Sequence, residues 1–382
     1  MKTKNLLMTA AIALSFVAPT QVFAEYGDDA YKERVALSKQ IKKMKNMRKQ
    51  LPSPPPAGLF GVYAFPEKGQ YVTGVNFQHH EFKGMLKGST SVTEASVGSP
   101  ALQVTPDDAE ANVILPFINY TVNEKIALVA MAPLIEKKST LRSFFHHPTD
   151  SSKDGLVGTN VVGSKGLGDI KFGALYKAYN SEDNKHNVII DAVLSAPTGS
   201  ITEEDMALLP FVGKNTTKNP GSVRVSKRLG YGMQLGGGTW DAMVGAAYWG
   251  KDDKWGYGAQ YLATIPLENR NSEGWRFGDK HELTAWSSYS WEPTLVSSFR
   301  LRTEHQDNME GSTTALAGMP ALGANTANYG GKITEASVGV NYMYAPAKNI
   351  SIEYTAPLSQ DRNGIQADKD SSIAISWRNA FF

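Results

Sequence analysis

The 382-residue sequence contains no cysteine. Disulfides, thiolate catalysis and cysteine metal sites are therefore excluded, and an exported chain of this kind must draw its stability from elsewhere, such as a closed hydrogen-bonded sheet. No apolar run reaches the roughly 18 residues that a membrane-spanning helix needs. The mean hydropathy of -0.31 excludes a helical membrane protein and nothing else, because membrane strands alternate apolar and polar side chains. Aromatic residues, by contrast, are plentiful: 16 Tyr, 15 Phe and 7 Trp. Two interfacial girdles around a barrel would need such a supply.

The first 24 residues have the three parts of an export signal. Lys2 and Lys4 form a charged start, Leu6 to Val17 an apolar run, and Val22-Phe23-Ala24 a cleavage pattern. Cleavage after Ala24 is expected. Residues 25–51 form a basic arm. Within it Tyr31, Val35, Leu37, Ile41, Met44 and Leu51 recur at roughly helical spacing among lysines and arginines. The arm carries eight bases against four acids, which leaves residues 52–382 with a net charge of -4. Residues 52–68 begin with Pro52-Ser53-Pro54-Pro55-Pro56 and read as an extended linker and barrel entry.

From Gly69 the period changes to two. Trp255, Tyr257, Ala259, Tyr261 and Ala263 share one face, with Gly256, Gly258, Gln260 and Thr264 on the other. About twelve such segments are expected: 70–80, 110–120, 125–135, 168–179, 187–196, 238–249, 254–265, 279–291, 294–305, 333–344, 349–357 and 371–382. Their connections alternate between long (81–109, 136–167, 197–237, 306–332) or medium (266–278, 358–370) and short. The short ones are Val122-Asn123-Glu124, Asn180 to His186, Gly250 to Asp253, Glu292-Pro293 and Ala345 to Lys348. Short turns at one rim and long loops at the other are the pattern of a membrane barrel. The expected fold is all-β: an antiparallel transmembrane barrel at 69–382 of about 12 strands, with 10 or 14 as alternatives, preceded by a short basic N-terminal helix.

Four stretches carry a family resemblance: Gly166-Leu167-Gly168-Asp169-Ile170-Lys171-Phe172-Gly173, Ala196-Pro197-Thr198-Gly199-Ser200, Gln234-Leu235-Gly236-Gly237-Gly238-Thr239-Trp240-Asp241, and Leu283-Thr284-Ala285-Trp286. Together they resemble the outer-membrane transporter family labelled "MetA-pathway of phenol degradation", from about residue 60 onward. The resemblance implies a Gram-negative outer-membrane barrel that moves small solutes, polar or hydrophobic and aromatic, without a cofactor. Barrels of this kind end on an aromatic that the assembly machinery reads, which assigns that role to Trp377, Phe381 and Phe382. Ile373, Ile375, Trp377, Asn379 and Phe381 share one phase, and Phe382 falls in the other unless a terminal bulge shifts it.

Giving the apolar phase to lipid leaves a polar lumen lined by Lys171, Asp191, Asp241, Gln260, Glu282, Arg300, Arg302, Glu304, Glu335, Asn341, Glu353 and Arg378. Charges of both signs there mean a selective, restricted pore or a lumen filled by ion pairs. An adhesive or structural barrel with a closed lumen, displaying its long loops, is the rival of another class. A lipid hydrolase would need a lipid-facing Ser–His pair. His281 and His305 lie in the apolar phase, but Ser287, the nearest same-face serine on that strand, is about 20 Å away at the usual rise. His79 and His80 are strand neighbours on opposite faces and cannot readily share a metal. Gly163 to Gly168 lacks the Gly-Lys-Ser/Thr ending of a phosphate loop. Expected partners are outer-membrane lipid and lipopolysaccharide, the barrel-assembly machinery, and cell wall or further copies through residues 28–51; no nucleic acid, metal or catalysis is expected. Both termini are expected in the periplasm.

Overall fold

The computed structural model describes residues 34–39, 55–59, 68–93, 103–146, 149–208, 224–345 and 347–381. The signal segment 1–24, most of the basic arm and Phe382 lie outside them. Residues 34–39 are helical, with Leu37 exposed.

Eighteen strands follow: β1 (Tyr71–Gly88), β2 (Thr90–Val92), β3 (Val104–Thr121), β4 (Ile126–Met131), β5 (Leu134–Phe145), β6 (Gly155–Leu167), β7 (Lys171–Asn180), β8 (His186–Ser195), β9 (Glu204–Leu208), β10 (Arg224–Arg228), β11 (Asp241–Asp252), β12 (Trp255–Pro266), β13 (Trp275–Arg276), β14 (Lys280–Glu292), β15 (Leu295–Gln306), β16 (Glu310–Gly311), β17 (Gly331–Ala345) and β18 (Lys348–Phe381). Eleven of them form an antiparallel ring in the order β1-β18-β17-β15-β14-β12-β11-β8-β7-β4-β3, closed by the pairing of β1 with β3. Closure leaves no unpaired edge in the ring, the condition for strands to cross lipid. β18 is 34 residues long. Its residues 348–362 pair with β17 and its residues 362–381 with β1, and Gly364 has a left-handed φ of 62° between the two parts.

The alternation sorts side chains as the period of two requires. Ile190, Val244, Tyr257, Leu283, Phe299, Val338 and Ile352 are exposed, whereas Asp191, Gln260, Arg300, Glu335 and Glu353 on the same strands are buried. Toward the short-turn rim the outward face turns aromatic, with Tyr120, Tyr248, Trp255, Tyr342 and Trp377 exposed. The Trp377 indole donates to the Tyr344 hydroxyl at 2.9 Å, which donates to Asn379 Oδ1 at 2.8 Å. Between Ser371 and Phe381 the pairing with β1 runs without a bulge, so Phe381 stays in register with Trp377.

The short turns sit where the alternation breaks, and the long connections differ from expectation. β1 runs to Gly88 and β3 starts at Val104, so much of 81–109 is strand. Segment 136–167 is largely the β5–β6 hairpin, and 358–370 is strand throughout. These extensions carry charge on both faces: on the outer one Lys83 pairs with Glu81 and Asp370, and Lys138 with Glu110 and Glu136, while Lys137 and Lys369 point inward. Beyond the lipid the outer face meets water and the inner face is covered by loops over small and polar residues such as Ser139, Ser143 and Asn160, so the period-two apolar signal disappears while the hydrogen-bond ladder continues.

The remaining loops on that side pack on one another. Ile201, Tyr231, Trp275, Met309 and Leu316 form a core of their own. Tyr231 meets Trp275 edge-on at 5.1 Å and Tyr329 at 5.8 Å. The Tyr329 hydroxyl accepts from Gly232 N–H at 3.0 Å and donates to Gly323 O at 2.8 Å. Burial pushes its pKa up, as a dry loop core does. The loops thus form a folded cap.

Candidate functional site

The barrel interior has two unlike walls. On β14, β15, β17 and β18 it is ionic. Arg302 Nη1 donates to Glu335 at 2.6 Å, its Nε to Glu282 at 2.9 Å, and its Nη2 to Glu304. Lys369 meets the other Glu335 oxygen at 2.5 Å, and Lys280 stands 3.6 Å from Glu282. A second buried pair joins Arg300 Nε to Glu353 Oε1 at 3.2 Å. Between and around these lie Ser337, Asn341, Ser351, Thr355 and Arg378, all buried. Lys369 falls in the segment expected to be loop, so its side chain could not be assigned to the interior from periodicity.

The opposite wall, on β4, β7, β8, β11 and β12, is apolar. Val129, Leu175, Ile189, Val193, Met243, Trp249 and Leu262 belong to one buried cluster that continues to Trp286 on β14. A uniformly polar lumen was expected, and this half corrects it. Strands such as Val188-Ile189-Ile190-Asp191-Ala192-Val193-Leu194 are apolar on both faces, so alternation cannot show which apolar set points inward. Asp191 is buried in that wall, with Gln260 Nε2 donating to it at 3.2 Å. Lys171 donates to Asp169 O at 3.2 Å, and Asp241 accepts from Thr239 at 2.7 Å, both toward the cap.

Residues 55–59 lie inside the barrel between the two walls. Asn76 Nδ2 donates to Ala57 O at 2.8 Å. Leu59 is 5% exposed and joins the apolar cluster with Val72 and Phe117. Gly58 presses on the buried ion pair so closely that a Cβ would stand 2.6 Å from Glu353 Oε1 and 2.7 Å from Arg300 Nη2. Any larger residue there must displace the ends of those two side chains. Proline-rich composition gave an extended segment but not its location.

Three of the four motifs that carry the family resemblance converge at the cap side of the apolar wall, where Gly168 to Ile170 separate β6 and β7. The Asp169 carboxylate accepts Gly199 N–H at 2.9 Å and Gly237 N–H at 2.8 Å. Thr198 Oγ1 donates to Gly168 O and accepts from Ile170 N–H, while Leu235 N–H donates to Ser200 O. Gln234 bridges Leu229 O and Glu203 N–H. These contacts brace the 197–240 connection against the wall. Asp169→Ala should orphan two glycine N–H groups, a cost of ~1–3 kcal/mol each where they stay buried. The expected result is faster protease cleavage within 197–240, with the barrel core still resistant. Unchanged cleavage would refute the bracing role.

The histidines have local partners. His281 Nδ1 meets Tyr261 OH at 2.7 Å, and His305 meets Asp307 at 3.2 Å. His79 bonds Asn112 on one face of β1, and His80 bonds Gln78 on the other. Among the described residues no group of three or more metal-ligating side chains comes together.

This geometry defines a transmembrane-type β-barrel with an amphipathic interior and a folded cap. Against solved structures it is similar to an outer-membrane channel from Pseudomonas putida F1, with a TM-score of 0.54 and 15% identity over 86% of this chain and 100% of that one. That likeness establishes the fold. The P. putida toluene transporter TodX matches at a TM-score of 0.41 and 10% identity, over 83% of this chain and 91% of that one. No family profile and no curated protein matches the sequence.

Proposed function

We propose that the protein is a Gram-negative outer-membrane channel for passive passage of a small solute, closed at rest by residues 55–59. The observation that carries this reading is the seating of that segment. Among the described residues it is held by one side-chain hydrogen bond, by Leu59 in the apolar cluster and by the contact of Gly58 with the Arg300–Glu353 pair. A purely structural barrel would be expected to fill its interior with its own strand side chains. Counting the two parts of β18 as separate crossings makes twelve staves. An even number returns both ends to the periplasm, where the basic arm could meet cell wall or another copy and Trp377 and Phe381 the assembly machinery. The exposed belt meets lipid and lipopolysaccharide.

In this reading Arg300, Arg302, Glu282, Glu304, Glu335, Glu353 and Arg378 set the polar side of the path, with Asn341 and Gln260 at its margins. The solute moves down its gradient and no cofactor is involved. The self-satisfied ion pairs also fit the rival reading, a closed adhesive barrel. Planar-bilayer conductance of the purified chain, with and without residues 25–59, separates the two. Absence of ion or solute flux in both forms would refute the channel and leave the closed barrel.

A further inference from the structure

His281 on β14 and His305 on β15 stand directly opposite one another in the antiparallel ladder. Both point outward, in phase with exposed Leu283 and Leu301, at the cap-side ends of their strands. Directly opposed residues on one sheet face have Cβ atoms about 4.5–5.5 Å apart. Two imidazoles carried at that spacing can close on one ion at the roughly 2.0–2.1 Å of a metal–imidazole bond. Each ring is also held through one nitrogen that leaves the other for a ligand bond. His305 Nε2 lies 3.2 Å from Asp307 Oδ1. A carboxylate only accepts, so Nε2 carries the proton and Nδ1 of the neutral ring keeps its lone pair. His281 Nδ1 lies 2.7 Å from the Tyr261 hydroxyl, with the two rings stacked 6.1 Å apart. When Nδ1–H donates to that oxygen, Nε2 is left bare. An imidazole that gives one N–H to an oxygen and offers its other nitrogen is arranged as metal-bound histidine is, because the outer bond fixes the tautomer and raises ligand basicity. Among the described residues no group of three metal-ligating side chains assembles, so water would fill the remaining positions. Lys332, opposite His305 on β17, is exposed, and the Asp307 carboxylate offsets its charge.

The geometry points to a transition-metal site on the outer barrel wall, in which His281 Nε2 and His305 Nδ1 chelate one Cu²⁺, Ni²⁺ or Zn²⁺ ion and Tyr261 and Asp307 position the two rings. Two nitrogen donors with open water positions favour Cu²⁺ over Ni²⁺ and Zn²⁺, and suit neither Mg²⁺ nor Ca²⁺, which take oxygen ligands. The ion ties β14 to β15 where the 266–278 and 306–332 connections join them. The site lies outside the lumen, so it stands or falls independently of solute passage.

The test uses the full chain without an affinity tag, in nanodiscs. Titration with Cu²⁺ should give an electron paramagnetic resonance spectrum split by two imidazole nitrogens, and excess Mg²⁺ should leave it unchanged. Other histidines and the amino terminus can also take up copper, so variants assign the site. His281→Ala and His305→Ala should each abolish the two-nitrogen signal. Asp307→Asn keeps both ligands and should weaken binding on the order of tenfold. Absence of the signal from the parent, or its survival in either alanine variant, overturns the chelate. Unchanged affinity in Asp307→Asn overturns the part given to Asp307. Should a variant fail to fold, diethyl pyrocarbonate is applied to the unaltered protein with and without Zn²⁺. Protection of His281 and His305 by the ion supports the site, and equal modification of both in its presence and absence overturns it.

Discussion

Deletion of residues 25–59 is expected to raise single-channel conductance on the order of tenfold over the full chain, because it empties a lumen otherwise filled at its waist. Deletion of 25–51 alone should change it little, since 55–59 are the described residues of this region that sit between the walls. This contrast separates an arm that blocks the pore from a linker that does. Gly58→Leu provides the point-mutant version. Its side chain cannot share space with Glu353 and Arg300, so the segment must leave its seat or the ion pair must open. Conductance should rise toward that of the longer deletion. Retained heat-resistant migration of each variant on a gel shows that the barrel has formed. If the 25–59 deletion forms a barrel that conducts no better than the full chain, the plug assignment is wrong.

The second large effect is expected at Arg302. Its guanidinium meets three carboxylates, and Glu335 is almost completely buried beside it. Arg302→Met leaves Glu282, Glu304 and Glu335 with Lys280, Lys369 and the more distant Arg362 as counter-charges. Breaking a buried ion pair from one side costs about 3–5 kcal/mol, more than the pair adds over an apolar substitute, because it strands charge in a poor dielectric. The variant should unfold at clearly lower denaturant than the parent. Its open form should favour cations several-fold more strongly, read as a reversal potential across a salt gradient. Adding Glu335→Gln should recover part of both. Parent-like stability of the single variant would mean that the carboxylates are well hydrated and that the network contributes little.

Much of the fold was legible before the structure. Outward Tyr257, Tyr261, Val338 and Ile352 against inward Gln260 and Glu353 follow directly from a period of two, and the alternation of turn lengths placed the two rims. Arg300, Arg302 and Glu304 recur every second residue, with Phe299 and Leu301 exposed beside the two arginines. Three things were hidden. Strand continuing above the lipid has no apolar face to alternate, as at Ser359 to Asp370. Val188 to Leu194 is apolar on both faces, so the greasy wall looked like lipid surface. The cap core joins Ile201, Tyr231, Trp275, Met309 and Leu316 from three separate connections, with no local pattern among them.

By itself the sequence determined which side meets lipid on the strands whose two faces differ, such as β12 and β15, because backbone alternation forces that choice residue by residue. It could not determine what fills the middle. Arg302 meets Glu335 through the β15–β17 register, whereas the gathering of two distant motifs' glycines by Asp169 and the seat of Gly58 on Arg300 and Glu353 are tertiary contacts. They join residues far apart in sequence, and no local propensity encodes those meetings.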